Sequence, residues 1–178
     1  LMFTGHIGNW EVSGIPIIQY GIPIAFVYRA PNNYYVDYIL RRTRSKSITS
    51  NGIPKGILGA RKIVEQVKSN GYTAMLVDQK MNDGVSIPFF GSEAMTAPAL
   101  AQLAIKYDLP IFPVRVERVK GCHLRTTIYP KLEITKTGNI EQDIICTMTK
   151  VNLILEEWIR ERPGEWLWIH NRWPKDKT

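Results

Sequence analysis

Leu1-Met2-Phe3-Thr4-Gly5-His6-Ile7-Gly8-Asn9-Trp10-Glu11 opens the chain. An apolar stub runs into a glycine-flanked histidine, with a carboxylate shortly after it. Imidazole exchanges protons near neutral pH, and a carboxylate can fix its tautomer and stabilise its charged form. On a continuous helix the step from His6 to Glu11 rotates about 500°, leaving the side chains roughly 140° apart. A strand ending at Gly5, a loop carrying His6 and a helix starting near Asn9 would instead let Glu11 reach back. Asn9 suits a helix N-cap, and Glu11 in the first turn suits the positive end of the dipole. On spacing alone, a chance histidine and glutamate around a strand-to-helix turn is the simpler reading, so the rest of the chain decides.

Working outward, short apolar runs alternate with longer amphipathic stretches, the pattern of an α/β fold. Strands are expected over residues 1–4, 24–28, 72–77, 111–118 and 123–129, the last pair antiparallel across Lys120-Gly121. Helices are expected over 9–20 (weakened by Gly14 and kinked at Pro16), 34–44, 55–69, 97–107 and 140–162. Ile57, Leu58, Ile63, Val64 and Val67 make an apolar stripe on the third of these. Thr96 is a candidate cap for the fourth, and residues 79–94 read as a loop. The expected architecture is a mixed, mostly parallel central sheet flanked by helices. His6, Arg29 and Asp78 each follow the last apolar residues of a strand. With parallel strands they gather at one carboxyl edge, where open α/β sheets place their sites.

Five ordered blocks carry a resemblance. His6-Ile-Gly-Asn-Trp-Glu11 resembles the H-x-x-x-x-D/E signature of glycerolipid-type acyltransferases, in the form used by bacterial lipid A biosynthesis acyltransferases. Val27-Tyr28-Arg29-Ala30-Pro31 is similar to the family's arginine-delivering strand. Asp78-Gln79, followed by Pro88-Phe89-Phe90-Gly91, is similar to its D-Q…P-F-F-G block. Pro110-Ile-Phe-Pro113 and Trp168-Ile-His170-Asn-Arg172-Trp173 match its proline-bearing strand and closing W-x-H-x-R-W. The resemblance covers nearly the whole chain. It implies a single acyltransferase domain over residues 1–178. It also implies a membrane-anchoring segment upstream, so that this chain is a fragment or lacks that segment.

Composition bounds the alternatives. The 178 residues are 44% hydrophobic and 22% charged, which suits one ordinary globular domain. No run approaches the ~20 apolar residues needed to span a bilayer. Cys122 and Cys146 form no C-x-x-C pair, and with three scattered histidines they suggest no metal site. Free, buried thiols are the simpler expectation. The net charge of +7 attracts phosphate-rich partners: nucleic acid, an anionic membrane surface or an acidic carrier protein. Arg41, Arg42, Arg44 and Lys46 are clustered after Tyr34, Tyr35 and Tyr38, and Lys55, Arg61, Lys62 and Lys68 follow. A solvated helix face is the usual meaning of such a run. No recognised nucleic-acid module appears, and nucleic acid is not expected as a partner.

The resemblance implies chemistry without a metal or organic cofactor. His6 is the expected general base, taking the proton from an acceptor hydroxyl as it attacks a thioester carbonyl. Glu11 is expected to orient the imidazole. Arg29 is expected to grip phosphate or an oxyanion through its planar fork. Asp78 and Gln79 hold Arg29 or line the acceptor pocket, unless Asp78 only caps a turn. Phe89 suits packing, while Phe90 and Gly91 form either an ordered loop or the wall of an acyl tunnel. Arg172 is a substrate-binding candidate by resemblance; its residue type, among Trp166, Trp168 and Trp173, also suits a cation–π cover over the core. His170 belongs to that cover, and His123 is expected to be inert. The implied donor is acyl-acyl carrier protein or acyl-CoA, and the acceptor a phosphorylated glycolipid, the lipid A precursor. The implied location is the cytoplasmic face of the bacterial inner membrane. Another glycolipid or phospholipid acceptor, or a non-catalytic basic lipid- or nucleic-acid-binding domain, are the rival readings.

Overall fold

The computed structural model describes residues 1–47 and 52–173. The side chains of Lys46, Ile57 and Leu58, assigned above to the basic cluster and to an apolar stripe, lie outside the described residues.

A six-stranded sheet is built from β1 (Met2–Thr4), β2 (Ile24–Tyr28), β3 (Gly52–Pro54), β4 (Tyr72–Leu76), β7 (Phe112–Lys120) and β8 (His123–Ile128). Its order is β3-β2-β4-β1-β7-β8. All neighbours are parallel except β7 and β8, which form an antiparallel pair. This is the mixed, mostly parallel sheet that the alternating pattern implied. The central position of β1 explains its composition, since Met2 and Phe3 are buried on opposite faces.

The two faces are covered unequally. Phe3, Ala25 and Met75 point to the larger core, with Ile63 and Val67 of α3 (Ile57–Lys68) and helices α4 (Ala99–Tyr107) and α5 (Ile140–Glu161). Helix α5 is the main buttress. Asn139 caps it by accepting from the backbone N–H groups of Glu141 and Gln142. Ile144, Met148, Val151, Leu155 and Trp158 then recur at steps of four and three to give one buried stripe. Met2, Ile24, Ala74 and Val114 point to the other face, where, among the described residues, the short α1 (Gly14–Gln19) adds the buried Ile17. Helix α2 (Tyr34–Ser47) lies on the outside with no buried side chain among those described.

Several local expectations change. Residues 9–20 split into a single 3-10 turn, Trp10–Val12, and α1. Pro16 is tolerated because α1 starts at Gly14, so the missing N–H falls in the first turn. Asn9 precedes the 3-10 turn but makes no side-chain cap bond. Residues assigned to a loop form a second, two-stranded sheet, β5 (Lys80–Phe89) and β6 (Ser92–Thr96). Its turn residues Phe90 and Gly91 both take positive φ, 52° and 77°. That geometry closes a two-residue hairpin, but it is usually signalled by Asn-Gly or Asp-Gly. Thr96 ends β6 and does not cap α4, which begins behind Pro98 without a side-chain cap. Strand β3 has no signal in the sequence, since three residues carry too little pattern. Both cysteines are free, and Cys122 is exposed in the β7–β8 turn, contrary to the expectation of buried thiols.

Close approach of backbone to backbone sets one glycine. A Cβ at Gly59 of α3 would stand 1.6 Å from the Pro54 carbonyl oxygen at the end of β3. Gly59→Ala is expected to push α3 off the sheet edge and cost about 1–3 kcal/mol, read as a lowered midpoint in urea unfolding.

Candidate active site

Register brings the site together. Thr4 of β1 pairs with Leu76 of β4, an offset of 76 − 4 = 72, so His6 and Asp78, two residues further on, stand side by side at the carboxyl edge. The Asp78 side chain is only 1% exposed and the His6 side chain 14%. Asp78 Oδ1 lies 2.7 Å from His6 Nδ1, and Asp78 Oδ2 accepts the His6 backbone N–H at 2.9 Å. Trp166 Nε1 donates to the same Oδ2 at 3.0 Å. Burial works against the Asp78 charge, but the bonds and charge of His6, together with the Trp166 N–H, outweigh it and hold the carboxyl below its ordinary 3.8. An ionised carboxylate can only accept, so His6 Nδ1 carries the proton, and in the neutral form of the ring the lone pair lies at Nε2. Nε2 has no hydrogen-bond partner among the described residues. The edge of the imidazole is set by the Trp10 ring, at a centroid distance of 5.0 Å and an angle of 64°.

Glu11 does not reach His6. It forms a two-bond ion pair with Arg44 of α2, at 3.0 Å to Nε and 2.6 Å to Nη2, and ties the 3-10 turn to α2. The five-residue step carries its side chain away from the imidazole, and Asp78 takes the orienting position from the neighbouring strand. Asp78 therefore neither holds Arg29 nor caps a turn.

Arg29, after β2, is exposed at the same sheet edge. Lys55, whose backbone N–H donates to the Tyr28 carbonyl at 2.8 Å, is its neighbour. The Lys55 ammonium is held below its ordinary value by burial first and then by the charge of Arg29, with Asp78 opposing. Two cations therefore share this edge, and Lys55, which in the sequence is one member of a basic run, is a further candidate site residue. Gln79 is half-buried beyond Asp78 and has no hydrogen-bond partner among the described residues.

The hairpin and the tail form a wall behind the pair. Phe90 donates its backbone N–H to Glu156 of α5 at 2.7 Å, and Asn152 Nδ2 donates to the Pro88 carbonyl at 2.9 Å. Phe90 thus belongs to an ordered hairpin turn, with Gly91 completing it. Arg172, a substrate-binding candidate by resemblance, is 1% exposed and lies inside this wall. It donates to the Met95 carbonyl at 3.0 Å and Thr96 Oγ1 at 2.6 Å, with its guanidinium 4.9 Å from the Phe89 ring centroid. The cation–π cover is realised, on a phenylalanine. His170 and His123 are exposed.

A cavity of about 680 Å³ opens on the thinly covered face, between the sheet and α2. Thr4, Phe26 and Ala74 supply its floor, Trp10 and Glu11 its border toward His6, and Arg41, Arg42 and Arg44 part of its far wall. Among the described residues no group of three His, Cys, Asp or Glu side chains could hold a metal ion, and no helix is long and apolar enough to cross a membrane.

A histidine–carboxylate pair at the carboxyl edge of a mostly parallel α/β sheet, with a cavity alongside, has the geometry of a proton-exchanging site. The family of bacterial lipid A biosynthesis acyltransferases matches residues 1–175, and the chain belongs to it. It is 24% identical over 177 residues to a lipid A biosynthesis acyltransferase of Haemophilus influenzae, covering 95% of this chain. The chain spans about half the length of that relative, 52%.

The depressed carboxyl makes a pH-linked prediction. A carboxylate whose folded value lies below its unfolded one contributes stability that is present above the unfolded value and lost as pH falls through the folded one. Asp78→Asn is expected to lower stability at pH 7, with the deficit shrinking below about pH 4. Urea unfolding of both proteins at pH 7 and pH 3 checks this; an equal deficit at both would contradict the assignment.

Proposed function

We propose that the protein transfers a fatty acyl chain to a hydroxyl of a lipid A precursor, with His6 as general base and Asp78 as its orienting partner. The observation that carries this reading is the His6–Asp78 pair, set at the edge of a cavity in a chain of this family. The acceptor O–H gives its proton to His6 Nε2 as the oxygen attacks the thioester carbonyl carbon. The tetrahedral intermediate expels the thiolate, which takes that proton back as the carbon–sulfur bond breaks. Asp78 stabilises the transient imidazolium and keeps Nε2 aimed outward. No acyl-enzyme is needed, and none of the proposed steps calls for a metal or cofactor.

The donor of this reading is acyl-acyl carrier protein, with acyl-CoA as the alternative thioester. Arg29 and Lys55 face the phosphate of the glycolipid acceptor, where Arg supplies a planar fork and Lys a point charge. Glu11 keeps a supporting part by holding Arg44 against the cavity. The cavity is bordered by α2, which exposes Tyr34, Tyr35, Val36, Tyr38 and Ile39. Tyrosines beside arginines suit the interface of an anionic membrane, which supports a reading in which the glycolipid acceptor reaches the site from the inner-membrane surface.

Wild type and His6→Ala are to be incubated with radiolabelled tetra-acylated lipid A precursor and acyl-acyl carrier protein. A more apolar product from the wild type alone is the expected outcome. No product from the wild type with either thioester, on glycolipid or phospholipid acceptors, would sink the reading. Asp78→Asn is expected to lower kcat on the order of 10³-fold or more. Glu11→Gln is expected to act mainly on KM, by about tenfold; a loss in kcat as large as that of Asp78→Asn would restore Glu11 as the partner of His6. The triple change Tyr34→Ser, Tyr35→Ser, Ile39→Ser is expected to weaken flotation with phosphatidylglycerol vesicles about tenfold, and unchanged flotation would remove α2 from the membrane surface.

A further inference from the structure

We propose that Trp166 is a positioning residue for the His6–Asp78 pair, its indole N–H fixing which carboxylate oxygen faces the imidazole and limiting the charge that oxygen presents. The kinetic consequence rests on the acyl-transfer reading; the geometry does not.

Asp78 has two oxygens with separate duties. Oδ2 is taken by the His6 backbone N–H and by Trp166 Nε1, which leaves Oδ1 alone to meet Nδ1 at 2.7 Å. Without the indole, Oδ2 keeps one donor, and the carboxylate gains freedom to rotate about its χ2. Trp166 is not delivered to this place by packing alone. The tail pairs with the catalytic loop on both sides: Gly8 donates its N–H to the Glu165 carbonyl at 2.8 Å, and Leu167 donates to the His6 carbonyl at 2.8 Å. Ile7 and Trp166 form an antiparallel bridge between these bonds. The loop needs glycine at position 8, where φ is +59° and a Cβ would stand 2.6 Å from the Val116 carbonyl oxygen. The segment bearing His6 and the segment bearing Trp166 therefore register each other residue by residue.

The indole plane is fixed as well. Trp166 stacks on Trp168 at 5.6 Å and 7°, and meets Phe89 edge-on at 5.9 Å. A tryptophan held only as filler would leave its N–H to solvent or to a carbonyl. Here it is spent on a carboxylate in a place where an unmade bond is costly.

The sign of the effect follows from charge. Removing a donor from Asp78 leaves its negative charge less satisfied, so the carboxylate holds the Nδ1 proton more tightly and stabilises the imidazolium more. The neutral base then persists only at higher pH. Other charged groups around the pair are Lys55 and Arg29 at the sheet edge, Arg172 in the wall, Glu11 on Arg44, and Glu165 on Arg162. None is altered by the test.

Trp166 is to be replaced by benzothienylalanine, in which sulfur stands for the N–H and the ring shape is kept, and separately by Phe. In ¹⁵N-histidine-labelled protein, the Nδ1–H proton resonance of His6 is expected to move downfield in both, with His6→Gln giving its assignment among three histidines. With transfer measured, kcat is expected to fall about tenfold at little change in KM, and the acid limb of kcat/KM to move to higher pH. A purely structural role would lower stability in the Phe variant and leave resonance and limb in place for benzothienylalanine. An unmoved resonance in the folded benzothienylalanine protein would overturn the proposal. A moved resonance with no transfer by the wild type on any acceptor would sustain it and count instead against acyl transfer.

Discussion

The Asp78 carboxylate is the constraint on which the site depends. A charge this deeply buried is tolerated only when its oxygens are satisfied. Here two oxygens collect three N–H groups from segments far apart in the chain. The first two come from His6, which the parallel pairing of β1 and β4 delivers two residues beyond the Thr4–Leu76 register. The third comes from the C-terminal tail, folded back over the His6 loop. A slip of one residue in either strand would turn one partner to the other face of the sheet and strand the charge. Strand order, loop shape and tail position are therefore coupled through one functional group.

The unequal faces of the sheet follow the same division of labour. Helices α3, α4 and α5 and the β5–β6 hairpin cover one face densely, and that face carries the stability. Glu156 and Asn152 on α5 hold the hairpin by its backbone, and Arg172 locks β6 from within. These buried polar side chains fix geometry more than they add net stability, since each must be desolvated to act. The other face has one short helix and an outlying one, and the space between is the cavity. A rigid wall behind the histidine thus stands next to a loosely covered cavity, which holds the imidazole still at an open edge.

Much of the fold was legible because its signals are local. The runs at 24–28 and 72–77, the long helix over 140–162 and the Lys120-Gly121 turn are set by neighbours within a few residues. Expected and observed ends there differ by at most two positions. The hairpin turn at Phe90-Gly91 was not legible. A phenylalanine at positive φ is unfavourable on its own and is held there by Glu156, 66 residues away. Strand β3 was too short to show a period. In the site, His6, Arg29 and Asp78 were legible as a set through their common position after strands. Their pairing was not, because the sequence offered Glu11 as the nearest carboxylate.

By itself the sequence determined that this is an α/β chain with its polar candidates at the carboxyl ends of strands, since periodicity and strand ends are properties of short windows. The tertiary structure alone decided that Asp78 and not Glu11 meets the imidazole, that Arg172 is buried against β6 and Phe89, and that Trp166 stands against the carboxylate. Those choices depend on which strands are neighbours and in what register. That is a matter of closing long loops and filling one shared core, and no local spacing records it.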